Sequence, residues 1–194
     1  MPQIKLVVGL GNPGSEYEKT RHNLGQMVFD EIPLQWNKKF KGRVASWRAK
    51  DDLVYFLIPE TYMNLSGESV QAAASFYKID PGNILVLHDE LDIDFGKLML
   101  KKGGGFAGHN GLKSIGEKLG TDAFLRIRLG IGRPGKGSSM GVADYVLHQF
   151  SEDEKALLPD VLKLASMAVM KLIEVGWSKA ASQVTKSLLV ANKK

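Results

Sequence analysis

The sequence predicts an α/β fold, a single-domain sandwich in which helices flank a mixed β-sheet. Three observations carry this. Short β-branched runs alternate along the chain with stretches of helical period. No internal repeat and no linker divides them, so residues 1–194 read as one domain. At 194 residues, 44% hydrophobic and 24% charged, the chain can bury a real core without disulfides or a structural metal.

Each element has its own signal. Residues 4–10 (IKLVVGL) are short, β-branched and bounded by glycines, the pattern of a buried central strand. Residues 23–32 read as a short helix that stops before Pro33, because proline pushes its predecessor out of the helical region. Residues 43–49 and 53–58 are two strands joined across Asp51 and Asp52. Residues 65–77 (LSGESVQAAASFY) are helical, with Asn64 or Ser66 expected as the cap. A second buried strand is expected at 83–87 (NILVL) and a third, short one at 97–100. Residues 110–119 are helical, 124–131 alternate like a strand, 153–175 form a long amphipathic helix, and 179–190 read as another helix. The glycine-rich segments GGGFAGHNG and GIGRPGKGSSMG read as functional loops.

Composition excludes several chemistries. There are no cysteines, so disulfides, thiolate catalysis, Cys-ligated zinc and iron–sulfur clusters are ruled out. The N-terminus lacks the signature of a signal peptide and no apolar run is long enough to span a membrane, so an intracellular, cytoplasmic protein is expected. The net charge of +5 is unevenly spread. Residues 36–50 carry six basic side chains and no acid, and residues 97–136 carry nine against Glu117 and Asp122. Between them, residues 88–94 (HDELDID) hold four acids. A basic surface beside an acidic knot suits a polyanion bound next to a catalytic pocket, although scattered solvated lysines give the same totals.

Two motifs are decoys. Residues 9–14 match G-x-G-x-x-G after a strand, but the following SEYEKTRH has no apolar stripe to pack as a dinucleotide-binding helix. Residues 137–141 match G-x-S-x-G, but a polar loop precedes them where a nucleophile elbow needs a hydrophobic strand.

Other residues are better placed for chemistry. His88 adjoins the end of NILVL and reads as its cap, His109 lies in a glycine-rich loop, and His148 sits in an apolar YVLHQF stretch, where it reads as structural. His22 follows the first strand's loop; if that strand and NILVL are neighbours, His22 and Asp89 meet at the sheet's C-terminal edge. A His–carboxylate pair is a general-base unit, and without a nucleophilic Ser or Cys beside it the base activates water. The HDELD cluster also offers metal ligands, although no H-E-x-x-H or second cluster accompanies it. Asn12, Asn64 and Asn110 each sit near a glycine at a strand–loop–helix junction, where amides either bind a peptide backbone and an oxyanion or simply cap a helix.

Taken together, GLGNPG-x-x-Y-x-x-T-R-H-N, TYMNLSG, HDELD, GGG-x-x-GHNGLKS and F-x-R-x-R-x-GIGRP, in that order and spacing, resemble the bacterial peptidyl-tRNA hydrolase family over nearly the whole chain. The resemblance implies a single α/β domain around a twisted mixed sheet, usually monomeric, with no cofactor and no metal. It implies hydrolysis of the ester joining a peptide to the 3′-terminal ribose of tRNA, with the acceptor stem and 3′ end of peptidyl-tRNA as the partner. His22 matches the family's catalytic base and Asp89 the acid that supports it, while Asn12 matches the residue that helps tell N-blocked from free aminoacyl-tRNA. Asn64 and Asn110 match substrate-positioning asparagines, and Tyr17 and Tyr62 match residues lining the substrate site. Relatives often carry Phe at the latter position, which makes its hydroxyl dispensable. Lys101 and Arg128 match the basic pair that grips the tRNA 5′ phosphate. No catalytic position departs from the family pattern. The competing expectations are a metal-dependent hydrolase built on HDELD and a non-catalytic RNA-binding module.

Overall fold

The computed structural model describes residues 3–50 and 52–180. Among these residues seven strands form one sheet: β1 Leu6–Gly9, β2 Asn37–Lys39, β3 Gly42–Ala49, β4 Asp52–Pro59, β5 Ile84–Glu90, β6 Leu98–Lys102 and β7 Leu125–Gly130. Their spatial order is β2-β3-β4-β1-β5-β7-β6. β4, β1, β5 and β7 run parallel, while β3 and β6 are antiparallel to their inner neighbours. The parallel centre explains why β1 and β5 read as continuous apolar runs, since both of their faces are covered. One face carries Val7, Leu85, Leu87, Ile127 and Leu129 into a core shared with α5 (Glu152–Val175). The other carries Leu6, Val8, Ile84 and Val86 against α2 (Ser66–Tyr77) and α3 (Asn110–Leu119).

β1 and β5 are adjacent, with Val8 opposite Val86 and Gly9 opposite Leu87. That register is the condition for bringing the loop after β1 to the end of β5. The segment returning from that loop is a short 3₁₀ turn, Arg21–Asn23, followed by α1 (Leu24–Met27) and a second 3₁₀ turn, Val28–Glu31. The helix expected at 23–32 is therefore helical in sum but mostly 3₁₀. Its middle lies too close to the sheet for any side chain: a Cβ on Gly25 would run into the carbonyl oxygen of Leu87. α2 and α3 approach each other as closely, since a Cβ on Gly67 would collide with the Ser114 carbonyl, and the Gly67 N–H donates to Ser114 Oγ at 2.9 Å.

Several boundaries differ from expectation. The edge strand β2 is exposed at every residue and carries no apolar alternation to announce it. Neither Asn64 nor Ser66 caps α2 by its side chain; a 3₁₀ turn over Met63–Leu65 leads in, and Ser66 Oγ donates back to the Met63 carbonyl. Asn83 ends a 3₁₀ turn, and β5 runs on to Glu90, taking His88 and Asp89 into the strand. His88 is thus a buried strand residue and not a cap. His148 lies exposed just beyond the short helix α4 (Val142–Leu147), its Nδ1 2.6 Å from the Asp144 carbonyl oxygen, so it is not in an apolar core. The 137–141 segment is loop, as its polar surroundings imply. The helix expected at 179–190 lies, beyond residue 180, outside the described residues.

Candidate active site

The C-terminal end of β5 carries Asp89, which is 3% exposed. The Arg21–Asn23 turn brings His22 against it, with Nδ1 3.0 Å from both carboxylate oxygens. Arg21 pins this turn from the other side. Its guanidinium binds Glu154 at 2.7 Å and the Gln149 carbonyl at 2.8 Å, and lies 4.2 Å from the centre of the Tyr145 ring. A third group completes the cluster: His109 Nε2 lies 2.9 Å from Asp89 Oδ1. His109 is the N-cap of α3, and its Nδ1 accepts from the backbone N–H groups of Gly111 and Leu112 at 3.2 and 3.4 Å.

These contacts assign the tautomers. A proton on His109 Nδ1 would point at two N–H donors, so the ring carries its proton on Nε2 and donates to Asp89. His22 donates through Nδ1, which leaves its Nε2 lone pair free. His88 donates through Nδ1 to the Asp89 carbonyl at 2.8 Å, and its Nε2 is buried without a partner.

Electrostatics follow the same map. Burial pulls the His22 imidazole down, but the Asp89 charge and hydrogen bond push it up, and the net shift is upward from its ordinary value. Burial alone would raise the Asp89 carboxyl; the two histidines overcome that and hold it well below the usual carboxylate range. Burial, with His109 beside it, keeps the His88 ring well below the ordinary imidazole range.

His22, Asp89 and His109 each bring one ligand-capable atom within 4.8 Å of the others. The two nitrogens that face the carboxylate, His22 Nδ1 and His109 Nε2, already hydrogen-bond to it, so either could ligate a metal only by giving up that bond.

A cavity of about 350 Å³ opens over this cluster. His22, His88, Asp89, Glu90, His109 and Asn110 line it on the polar side, with Phe106, Val142 and Val146 among its apolar walls. Asn110 is the first residue of α3, not its cap. Asn12 is 8% exposed and braced: its Oδ1 accepts from the Met63 N–H at 2.7 Å, and its backbone exchanges two hydrogen bonds with the Asn23 side chain. Among the described residues its NH₂ has no protein partner. Asn64 and Tyr62 are exposed on and before the 3₁₀ turn that holds Met63, with Tyr62 60% accessible. Tyr17 is half-buried in the turn before His22, where its carbonyl accepts from the Thr20 N–H and hydroxyl. Tyr62, Asn64, Asn12 and Tyr17 do not line the cavity.

Lys101 and Arg128 sit on β6 and β7. Lys101 is opposite Arg126 and Met99 opposite Arg128, which puts the two cations diagonally on one sheet face. Arg128 is not free: its Nε lies 2.9 Å from Glu90 Oε2. Arg126 is buried between them and donates to the carbonyls of Gly103, Gly104 and Gly105 at 2.5–3.2 Å, so it holds the glycine loop that leads to His109.

Sequence reasoning passed over His109, Asn23 and Arg126. The signal for His109 was its place immediately before a helix start, where side-chain acceptors cap. Asn23 ends the TRHN segment, and Arg126 alternates with Arg128 in a strand whose odd positions are apolar.

Comparisons with known proteins agree on a family. The model of the family described as peptidyl-tRNA hydrolase matches residues 6–192. The peptidyl-tRNA hydrolase of Neisseria gonorrhoeae (strain NCCP11945) is 48% identical over 183 residues, covering 91% of this chain and 94% of that protein. That of Clostridium botulinum (strain Hall) is 45% identical, covering 92% and 95%. The crystal structure of the Acinetobacter baumannii peptidyl-tRNA hydrolase is similar with a TM-score of 0.85 and 39% identity, over 95% of each chain. The chain belongs to the peptidyl-tRNA hydrolase family.

Proposed function

We propose that this chain hydrolyses the ester linking a peptide, or an N-blocked aminoacyl group, to the 3′-terminal ribose of tRNA. The observation that carries the reading is the pair of His22 and Asp89, 3.0 Å apart at the wall of the cavity; with Nδ1 turned to the carboxylate, the neutral ring presents Nε2 as its free lone pair. Nε2 takes a proton from a water as that water attacks the ester carbonyl. The C–O bond to the ribose then breaks, and the imidazolium returns the proton to the departing ribose oxygen. An ester is activated enough for this without a covalent intermediate. Asn110, and Asn12 through its unpartnered NH₂, supply neutral donors for the developing oxyanion and the first peptide bond. Tyr17, Tyr62 and Asn64 line the approach of the peptide.

Lys101 and Arg128 hold the 5′ phosphate of the acceptor stem, with the phosphate competing against Glu90 for Arg128. The enzyme acts as a single domain over residues 1–194, as a cytoplasmic monomer. No described helix is long and apolar enough to cross a membrane.

The test is incubation with N-acetyl-aminoacyl-tRNA and with its unblocked counterpart, read as tRNA deacylation on gels. The blocked substrate is expected to be cleaved and the free one spared. Binding of both without cleavage would favour an RNA-binding module.

A further inference from the structure

Asp89 serves two histidines at once. His22 Nδ1 and His109 Nε2 both reach its carboxylate, at 3.0 and 2.9 Å, and the two rings lie 4.9 Å apart centre to centre. Only His22 has a role in the proposed reaction. His109 cannot trade roles with it, because the N-terminal N–H groups of α3 occupy its Nδ1. It is therefore held as a donor toward Asp89 through the whole catalytic cycle.

We propose that His109 is a positioning residue that sets the strength of the base: by donating a permanent N–H to Asp89 it takes up part of the carboxylate's charge and keeps His22 from holding its proton too tightly. A carboxylate with one donor pulls harder on the proton of its remaining partner than a carboxylate with two. Without His109, the His22 imidazolium would be more stable and less of the enzyme would carry a free base near neutral pH. The same hydrogen bond orients Asp89, since its Oδ1 cannot turn from His22 without abandoning His109. The inference rests on the reading of His22 and Asp89 as the base unit.

The other ionisable groups around the pair leave His109 as the adjustable one. From β5, His88 is buried and turned to the Asp89 backbone, and Glu90 is paired with Arg128 of β7. On the 3₁₀ turn itself, Arg21 is paired with Glu154 of α5. From α4, Tyr145 donates to the Ile131 carbonyl and Asp144 is exposed, with its carbonyl facing His148.

Two substitutions separate the tuning role from helix capping. His109→Asn keeps a side-chain acceptor at the cap of α3 but is too short to reach Asp89. His109→Gln places an amide N–H near the position of Nε2. The measurement is kcat/KM for N-acetyl-aminoacyl-tRNA from about pH 5 to 8.5, a range that brackets the reference His value of about 6.5. His109→Asn is expected to move the acid limb up by about half to one pH unit, a loss of roughly three- to tenfold on that limb. His109→Gln is expected to leave the limb near its wild-type position. Misfolded protein lowers every point alike and does not move a limb, so the position is readable even in a weakened variant. An unmoved limb in His109→Asn, or an equal move in both variants, overturns the proposal. His22→Asn, measured alongside, separates the two failures: if it stays active, the base assignment itself falls, whereas if it is inactive and the limb does not move, only the role of His109 falls.

Discussion

The two charged regions beside β5 are built on opposite principles. At its C-terminal end, Asp89 is 3% exposed, and both His22 and His109 are hydrogen-bonded to it. On the β6–β7 face, Arg128 keeps 21% of its side chain in solvent and shares its charge with Glu90. Buried charges interact strongly and are poorly screened; partly solvated cations interact weakly and depend on salt. The first arrangement suits moving a proton in a transition state, and the second suits a reversible grip on a phosphate.

The largest effect is expected at the buried end. His22→Asn removes the free Nε2 and should lower single-turnover deacylation by roughly 10²–10⁴-fold while leaving tRNA binding intact. A loss under about fivefold would remove His22 from the base role. Asp89→Asn should act in the same direction but less far if, as proposed, the carboxylate orients and stabilises His22 rather than taking the proton; a larger loss than at His22 would contradict the division of roles. The upward shift of His22 adds a pH signature. A general base works only when neutral, so in this role the rate should fall as pH drops through a value above the ordinary one for imidazole. A profile flat down to about pH 5 would break this assignment.

The β6–β7 face should answer in affinity. Lys101→Ala and Arg128→Ala are expected to raise KM for tRNA substrates with little change in kcat. Removing one cation from the phosphate should flatten the dependence of log affinity on log salt by roughly 0.7–0.9. A minimal peptidyl-nucleoside lacking the tRNA body should be cleaved as before; equal damage to both substrates would move these residues out of the phosphate role. Arg128→Ala also leaves Glu90 buried without its partner, so a double change with Glu90→Gln should be more stable than Arg128→Ala alone.

The smallest effect concerns folding, and it returns to the buried end. His88 stays neutral in the fold because burial depresses its pKa, whereas the unfolded chain protonates it near pH 6.5. The unfolded state therefore binds more protons below that pH, and stability contributed by His88 falls as pH falls. The raised His22 works the other way, adding stability at low pH that is lost as pH rises through its folded value. His88→Asn should thus weaken the acid-side decline by up to about 1 kcal/mol per pH unit, read from urea midpoints at pH 7.5 and 5.5. An unchanged decline would mean that His88 is not the group being protonated.

The fold class, the buried central strands and, on the condition that those strands are neighbours, the meeting of His22 with Asp89 were legible in the residues. Periodicity is local: IKLVVGL and NILVL betray strands covered on both faces wherever they end up, and a glycine-bounded strand followed by His-Asn, or by His-Asp-Glu, marks a sheet edge where chemistry collects. The resemblance then supplied the substrate. Tertiary structure alone decided the rest. Asp89 is 67 positions from His22 and 20 from His109. Nothing in the spacing says that one carboxylate serves both, because that depends on β1 and β5 being neighbours and on α3 beginning over the end of β5. The proton positions on His109 and His22, the Arg126 clamp on the glycine loop and the pairing of Arg128 with Glu90 are of the same kind. Each is a hydrogen bond between distant segments, and its partner is chosen by strand order and register, which no local pattern encodes.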